Sequence, residues 1–424
     1  MHPWTGQVVS VIPGKGEVPR IQDGITGKLI PSLTGSQADL YVCGITPYDA
    51  THLGHAFTYL AFDLLVRAWR DVGVTVRYAQ GLTDVDDPLL ERASATGQDW
   101  RELARSQTAL YKSDMAALGV IPPDAYRGVV ESVPLIVAAV ERMLGAGQAY
   151  RVALPGGPAL GPDSGLGDVY ADLSTDRWFG SLSGLNRETQ DRLFAERGGD
   201  PGRPGKRQRL DPLLWRAARS GEPSWDGRSL GPGRPGWHIE CAVIAANELG
   251  QPFDVLGGGS DLAFPHHEMS TSHSRAIGGL EAPTRLTMHT GMVHYLGQKM
   301  SKSVGNLVFV SELLGRGVDP AVLRLALIGH HYRTNWEWSG RELALADARL
   351  SRWRDGIGAV TAQLDSTATI TKIRAALAND LDAAAAIAAV DDWISTASTG
   401  TDRSPYAAGD LRRAIDALLG IKLY

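Results

Sequence analysis

Apolar positions along this chain recur with two different periods, and each change of period predicts an element. A short apolar run, Leu40-Tyr41-Val42, reads as a buried strand, and residues 56–69 carry apolar side chains at helical spacing. Alternation over residues 74–79 predicts a second strand. Two more helices are predicted over residues 100–118, with Trp100, Leu103, Leu110 and Met115 as apolar positions, and over 132–144. The same order returns later as a helix over 237–249, a strand at 253–256, a helix after Glu268 and a strand over 287–293. Strands that alternate with helices build a parallel sheet, and its ligands bind at the carboxyl ends of the strands. Beyond about residue 340 the pattern is helical only. There Leu343, Leu350, Trp353, Ile357, Val360 and Leu364 form one apolar face, and Ile370, Ile373, Leu377, Leu381, Ala384 and Ile387 form another.

Two stretches break this order. Residues 1–37 are rich in Gly, Pro and Ser and read as an irregular arm with no assigned function. Residues 150–210 shift to Gly, Pro, Asp and Arg, with short possible strands at Tyr150-Arg151-Val152 and Val169-Tyr170. They read as an insertion between two halves of one sheet. The expected partition is therefore an arm (1–37), a first catalytic half (38–149), the insertion (150–210), a second half (211–310) and a helical stem with a C-terminal helical domain (311–424).

Composition narrows the function classes. With 424 residues, 43% of them hydrophobic, the chain can bury a sizeable core. A net charge of −5 argues against non-specific nucleic-acid binding. No apolar run approaches the roughly 18 residues of a membrane span, and the first residues lack a signal peptide's apolar centre, so a cytoplasmic protein is expected. Cys43 and Cys241 are the only cysteines, which excludes a disulfide framework.

The chemistry begins where the first strand opens into the first helix. Residues 43–55 read Cys-Gly-Ile-Thr-Pro-Tyr-Asp-Ala-Thr-His-Leu-Gly-His, which sets His52 and His55 in a helix's first turn. Free backbone N–H groups and the helix dipole favour phosphate there, and two imidazoles add donors. Far downstream, Lys299-Met300-Ser301-Lys302-Ser303 offers two lysines that can neutralise a polyphosphate as point charges. Taken alone, each stretch has a plainer reading, a capped helix or a solvated basic loop. The chain has no Gly-rich P-loop and no dinucleotide fingerprint. The strand ending in Gly257-Gly258-Gly259-Ser260-Asp261 lets backbone approach a base or ribose, with Asp261 as acceptor. The segment Gly81-Leu82-Thr83-Asp84-Val85-Asp86-Asp87 fits no Ca²⁺ pattern and reads as a polar loop lining the ligand pocket. Together the histidine and lysine stretches resemble the paired ATP-binding signatures of class I aminoacyl-tRNA synthetases, which implies catalytic roles on phosphate for His52, His55, Lys299 and Lys302.

Cys43, Cys241 and His266 add two thiols and an imidazole near the openings of βα connections, the ligand types of a zinc site with one position left for substrate. Their spacing has no zinc-finger character. The order of Cys-Gly-Ile-Thr, the histidine pair, Trp-His-Ile-Glu-Cys, Gly-Gly-Gly-Ser-Asp-Leu-Ala-Phe-Pro-His-His-Glu and Lys-Met-Ser-Lys-Ser resembles the cysteinyl-tRNA synthetases over roughly residues 25–340. This resemblance implies one Zn²⁺ per chain on Cys43, Cys241 and His266, with the substrate thiolate bound to it. It implies ATP as substrate with Mg²⁺. It also implies an adenylate pocket lined by Cys43, Gly44, Ile45, Thr46 and Thr58, by Gly81, Leu82 and Thr83, and by Trp237, Gly259, Ser260, Asp261 and Val293.

Three features depart from those synthetases. Ser270 stands where they carry a glutamate ligand, four residues after His266. Little chain remains after the helical stem for an anticodon-reading region. They also lack the segment Glu196-Arg197-Gly198-Gly199-Asp200-Pro201, followed here by Arg203, Lys206, Arg207 and Arg209. By residue type that segment is a solvated Gly/Pro loop. All three departures resemble the cysteine:glucosaminyl-inositol ligases of mycothiol synthesis. That family implies a class I synthetase-like Rossmann domain with an insertion and a C-terminal helical domain. Its reaction joins L-cysteine, through cysteinyl-adenylate, to the amine of glucosaminyl-inositol. No tRNA or membrane partner is expected, and a monomer is. A true cysteinyl-tRNA synthetase is the rival reading. A catalytically silent cysteine-binding paralogue is another, disfavoured because a binding module needs no two phosphate clamps.

Overall fold

The structure, a computed structural model, describes residues 1–154, 167–300, 304–358, 365–399 and 405–424. Lys302, Val360 and Leu364 lie outside the described residues. The N-terminal arm folds into an antiparallel ribbon, β1 (Arg20–Gln22) with β2 (Leu29–Pro31). β3 (Gln37–Val42) follows, buried at every position after the first, as a strand covered on both faces must be.

His52 opens α1 (Leu53–Val72), and Gly73, left-handed at φ 89°, closes it. This helix is buried on nearly all sides because it lies between the sheet and the C-terminal helices. β4 (Thr75–Leu82) leads into α2 (Asp87–Thr96), α3 (Trp100–Ala117), β5 (Ala125–Gly128) and α4 (Val129–Gly145). The acidic loop after β4, expected to line the ligand pocket, spends two of its carboxylates on helix starts. Asp86 accepts from Asp87 N–H as the N-cap of α2, and Asp84 Oδ1 accepts from Val130 N–H, 2.9 Å away, at the start of α4. That capping, with Glu131 accepting from Gly128 N–H, starts α4 three residues before the apolar spacing does.

The insertion is a four-stranded antiparallel sheet, β6 (Ala149–Val152), β7 (Asp168–Ala171), β8 (Leu213–Ala217) and β9 (Gly233–Pro235), with α5 (Arg187–Glu196) between β7 and β8. It runs on to Pro235, past the composition boundary at 210, because β8 and β9 pair within it. α6 (Trp237–Leu249) and β10 (Phe253–Gly259) then return to the main domain. After the short turn Ala263–His267 come α7 (Glu268–Gly278) and β11 (Thr284–Thr290). The main sheet is entirely parallel, in the order β11-β10-β3-β4-β5. The two halves meet where β10 lies beside β3, and that reversal of strand order opens a crevice at their carboxyl ends.

The strand expected over 287–293 breaks at Gly291. A Cβ there would sit 2.1 Å from the Thr334 carbonyl oxygen, so the chain crosses that backbone and starts a separate small sheet. This sheet has the order β13-β12-β14, from β12 (Val293–Tyr295), β13 (Gln298–Lys299) and β14 (Trp336–Glu337). Helices α8 (Val310–Gly315), α9 (Pro320–Ile328), α10 (Gly340–Gly358), α11 (Thr367–Ala378), α12 (Ala383–Thr399) and α13 (Pro405–Ala414) complete the chain. They share one core with α1 through Leu60, Trp353, Ile373 and Leu411. The second predicted apolar face holds for Ile370, Ile373, Leu377, Leu381 and Ile387, but Ala384 is exposed and Ala383 buried. Asp380 and Leu381 adopt left-handed φ values of 56° and 51°, which breaks the register between α11 and α12. Among the described residues no helix is long and apolar enough to cross a membrane.

Candidate active site and metal centre

The carboxyl ends of β3 and β10 and the start of α1 surround a cavity of about 330 Å³. Its floor is the loop after β3. Gly44 can only be glycine, since a Cβ there would fall 1.6 Å from the Gly81 carbonyl oxygen. Thr83 N–H donates to the Ile45 carbonyl at 3.1 Å and ties the two loops together. Gly81, Leu82 and Thr83 therefore stand behind the floor and do not line the cavity.

His52 Nδ1 accepts from Gly54 N–H at 3.1 Å, which leaves its proton on Nε2. His52 and His55 stack with ring centroids 3.7 Å apart. Burial lowers both, His52 well below the usual range with help from His55 and Lys299, and His55 to about 4 with help from Lys299. At neutral pH the two rings are uncharged, so they offer N–H groups to a phosphate rather than positive charge. Thr58 donates or accepts at Thr290 Oγ1, 2.9 Å away, on the neighbouring wall.

Across the cavity Lys299 Nζ donates to Asp261 Oδ2 at 2.8 Å. Burial alone would raise the Asp261 carboxyl, but Lys299 and Arg197 hold it below the usual carboxylate range. Arg197 donates to the carbonyls of Asp261 and Phe264 and so fixes the loop between β10 and α7. The rest of its segment is internally tied: Asp200 accepts from Lys206 Nζ at 2.8 Å and from Tyr170 OH, and Gly199 N–H donates to the Phe194 carbonyl at 2.8 Å. No residue from 196 to 201 lines the cavity; the segment braces its wall.

Of the expected site residues, Cys43, Gly44, Ile45, Thr46, His52, His55 and Thr58 line the cavity on one side. Trp237, Gly259, Asp261, Val293 and Lys299 line the other, while Ser260 is exposed outside it. Tyr48, Asp49, Met292, Met300 and Leu307 also line it and were missed. Tyr48 and Asp49 fall inside the Cys43-to-His55 stretch, where sequence position was the available signal; Leu307 carried none.

Cys43 also belongs to a second constellation. The ligand atoms of Cys43, Cys241 and His266, all buried, lie within 4.8 Å of one another. Cys241 comes from α6 and His266 from the turn before α7. A hydrogen bond from Cys43, aided by His266, holds the Cys241 thiol well below its ordinary range, and the same bond together with burial pushes Cys43 up. Two thiols that share a proton beside an imidazole suit a thiophilic dication that displaces that proton. Trp237 stacks on His266 at 4.5 Å, and His238 Nδ1 lies 3.2 Å from His266 Nδ1, which orients the ring. Ser270 donates to the His266 carbonyl at 2.6 Å, so its hydroxyl secures the helix start. His267 and His289, not singled out from sequence, stand behind Cys43: His267 Nε2 is 3.4 Å from Cys43 Sγ, and His267 Nδ1 is 2.9 Å from His289 Nε2.

Comparison with known proteins gives this geometry a context. The family of tRNA synthetase class I (C) catalytic domains matches residues 29–348. The L-cysteine:1D-myo-inositol 2-amino-2-deoxy-alpha-D-glucopyranoside ligases of Sanguibacter keddieii and Cellulomonas flavigena are 56% and 57% identical to the chain, each match covering 100% of both chains. The ligase of that name from Streptomyces griseus is 53% identical with the same coverage. Among solved structures, methionyl-tRNA synthetase of Mycobacterium tuberculosis bound by methionyl-adenylate superposes with a TM-score of 0.63 at 17% identity, covering 91% of this chain and 92% of that one. A leucyl-tRNA synthetase from Agrobacterium radiobacter, in complex with tRNA, gives 0.65 at 12% identity, covering 92% of this chain and 84% of that one. At these identities the two structures show the fold alone.

Proposed function

We infer that this chain, which belongs to the L-cysteine:1D-myo-inositol 2-amino-2-deoxy-alpha-D-glucopyranoside ligase family built on the class I (C) tRNA synthetase catalytic domain, is the ATP-dependent ligase that joins cysteine to glucosaminyl-inositol in mycothiol biosynthesis. The observation that carries the reading is that Cys43 serves two sites at once. It is a wall of the cavity that holds His52, His55 and Lys299, and a member of the Cys43, Cys241, His266 cluster.

In the first step a cysteine carboxylate oxygen attacks the α-phosphorus of ATP, a P–O bond forms, and pyrophosphate leaves. His52 and His55 donate neutral N–H groups to the phosphates at the start of α1, and Lys299, drawn from Asp261, adds a charge. Lys302 shares that role. In the second step the acceptor amine attacks the acyl carbon, the C–N bond forms, AMP leaves, and the amine gives up one proton. Thr46, Thr58, Trp237, Gly259, Asp261 and Val293 hold the adenylate, with Gly81, Leu82 and Thr83 supporting its floor and Ser260 at its edge.

Cys43, Cys241 and His266 would hold one Zn²⁺, which when bound supplies a soft Lewis acid for the cysteine side chain. ATP acts with Mg²⁺. The acceptor is a small amine and not the end of a tRNA, because tRNA ligation draws its affinity from extended phosphate contacts and this chain is acidic. The chain is expected to act as a cytoplasmic monomer. The test gives purified protein ATP, cysteine and either glucosaminyl-inositol or tRNA, and follows AMP and product mass. The expected product is the amide. Cysteinylated tRNA without amide would make the chain a cysteinyl-tRNA synthetase.

A further inference from the structure

The rings of buried His267 and half-buried His289 form a line that starts at Cys43 and that neither phosphate binding nor metal ligation uses. His267 Nε2 lies 3.4 Å from Cys43 Sγ, and its Nδ1 lies 2.9 Å from His289 Nε2. Glycines make room at both ends. A Cβ at Gly258 would sit 2.9 Å from His267 Nε2, and one at Gly24 would sit 2.8 Å from His289 Nδ1. Gly24 belongs to the N-terminal arm and is held there by its own N–H, which donates to the Thr287 carbonyl at 2.8 Å, while Asp23 Oδ1 accepts from Thr287 N–H at 3.2 Å. The arm thus closes the far end of the line.

We propose that His267 is a positioning residue of the metal centre, whose Nε2–H donates to the Cys43 thiolate while His289 Nε2–H donates to His267 Nδ1 and fixes that tautomer. The inference rests on the reading of Cys43 as a metal-bound thiolate. Two protein thiolates, a substrate thiolate and a neutral imidazole around a dication leave one net negative charge in a buried site. An N–H directed at Cys43 Sγ draws off part of that charge and keeps the centre receptive to a third sulfur. Outer donors of this kind change metal affinity by about 10- to 100-fold.

The test titrates the metal-free full-length chain with Co²⁺ and records its sulfur-to-cobalt charge-transfer absorption. The wild type and His267→Gln, whose amide nitrogen can reach the place of Nε2, are expected to bind one cobalt with matching spectra. His267→Leu is expected to bind one cobalt about 10- to 100-fold more weakly, with the band moved to longer wavelength because the sulfur has lost its donor. A Leu variant equal to the wild type in affinity and band overturns the proposal, and so does a Gln variant no better than Leu. Loss of stoichiometric binding in both would make His267 a ligand instead. Should the Leu variant fail to fold, ¹⁵N spectra of the zinc-loaded wild type decide: an Nε2–H tautomer supports the donor role and an Nδ1–H tautomer removes it. A wild type that takes up no cobalt removes the centre itself, and this inference with it.

Discussion

Lys299 Nζ lies 2.8 Å from Asp261 Oδ2, so a cation available to a polyphosphate is held by a carboxylate on its own side of the cavity, facing His52 and His55. Both side chains are partly exposed, at 46% and 35%, so the pair is a weak tether that a triphosphate can outcompete. Lys299→Ala is expected to lower cysteine-dependent pyrophosphate exchange by about 10²- to 10³-fold with little change in cysteine binding. Measuring kcat and KM separately checks this. A variant with unchanged kcat would return the loop to a solvated basic turn.

Cys241→Ser should lose both bound metal and adenylation, since it removes one of the three clustered ligand atoms. Metal analysis beside the exchange assay gives the answer, and full zinc content in that variant would remove Cys241 from the ligand set. The same centre predicts that serine is discriminated against by about 10⁴ or more, because a neutral hydroxyl cannot match a thiolate on a soft dication.

Gly44→Ala drives a Cβ to 1.6 Å from the Gly81 carbonyl, a backbone atom that cannot step aside as a side chain can. A loss of about 1–3 kcal/mol in stability is expected, with adenylation impaired. At Gly145 in α4 an added Cβ would meet nothing within 4 Å, so Gly145→Ala serves as the control and should be neutral or stabilising. Thermal unfolding of the two variants side by side separates close packing from a general effect of replacing glycine.

Arg197→Met removes both donors to the Asp261 and Phe264 carbonyls. The wall that carries Asp261 and His266 should loosen, raising KM for ATP and cysteine while the folded state persists. Unchanged KM values would show that the segment braces nothing the reaction needs.

His55 is lowered to about 4 by burial and by Lys299, against about 6.5 in the unfolded chain. The unfolded state therefore binds a proton that the folded state refuses. The contribution of this ring to stability is present above about pH 6.5 and is lost as pH falls towards 4. His55→Gln should flatten that part of the stability curve. Unfolding midpoints at pH 7, 6 and 5 test it, and an unchanged slope would show that folding does not lower the proton affinity of this ring.

How much of this could be read from residues alone follows from the range of the forces involved. The strand before Cys43, the helix after His52 and the span of α6 were legible because periodicity and capping act over a few neighbouring positions. The sequence likewise showed two phosphate-type stretches and three thiophilic residues, since these are matters of residue type. It did not show that Asp84 and Asp86 cap helices, that Arg197 reaches the loop after β10, that Lys299 rests on Asp261, or that His267 stands behind Cys43. The Asp86 cap is local, made to the next residue's N–H. Asp84 meets Val130 only because β5 pairs with β4, and the contacts of Arg197, Lys299 and His267 form only when β10 lies beside β3 and brings the loop after it to the site. Nothing within a few residues of a carboxylate or an imidazole says which distant backbone it will meet. Tertiary packing decided that, because a buried polar group takes whatever partner the completed sheet brings within hydrogen-bonding distance.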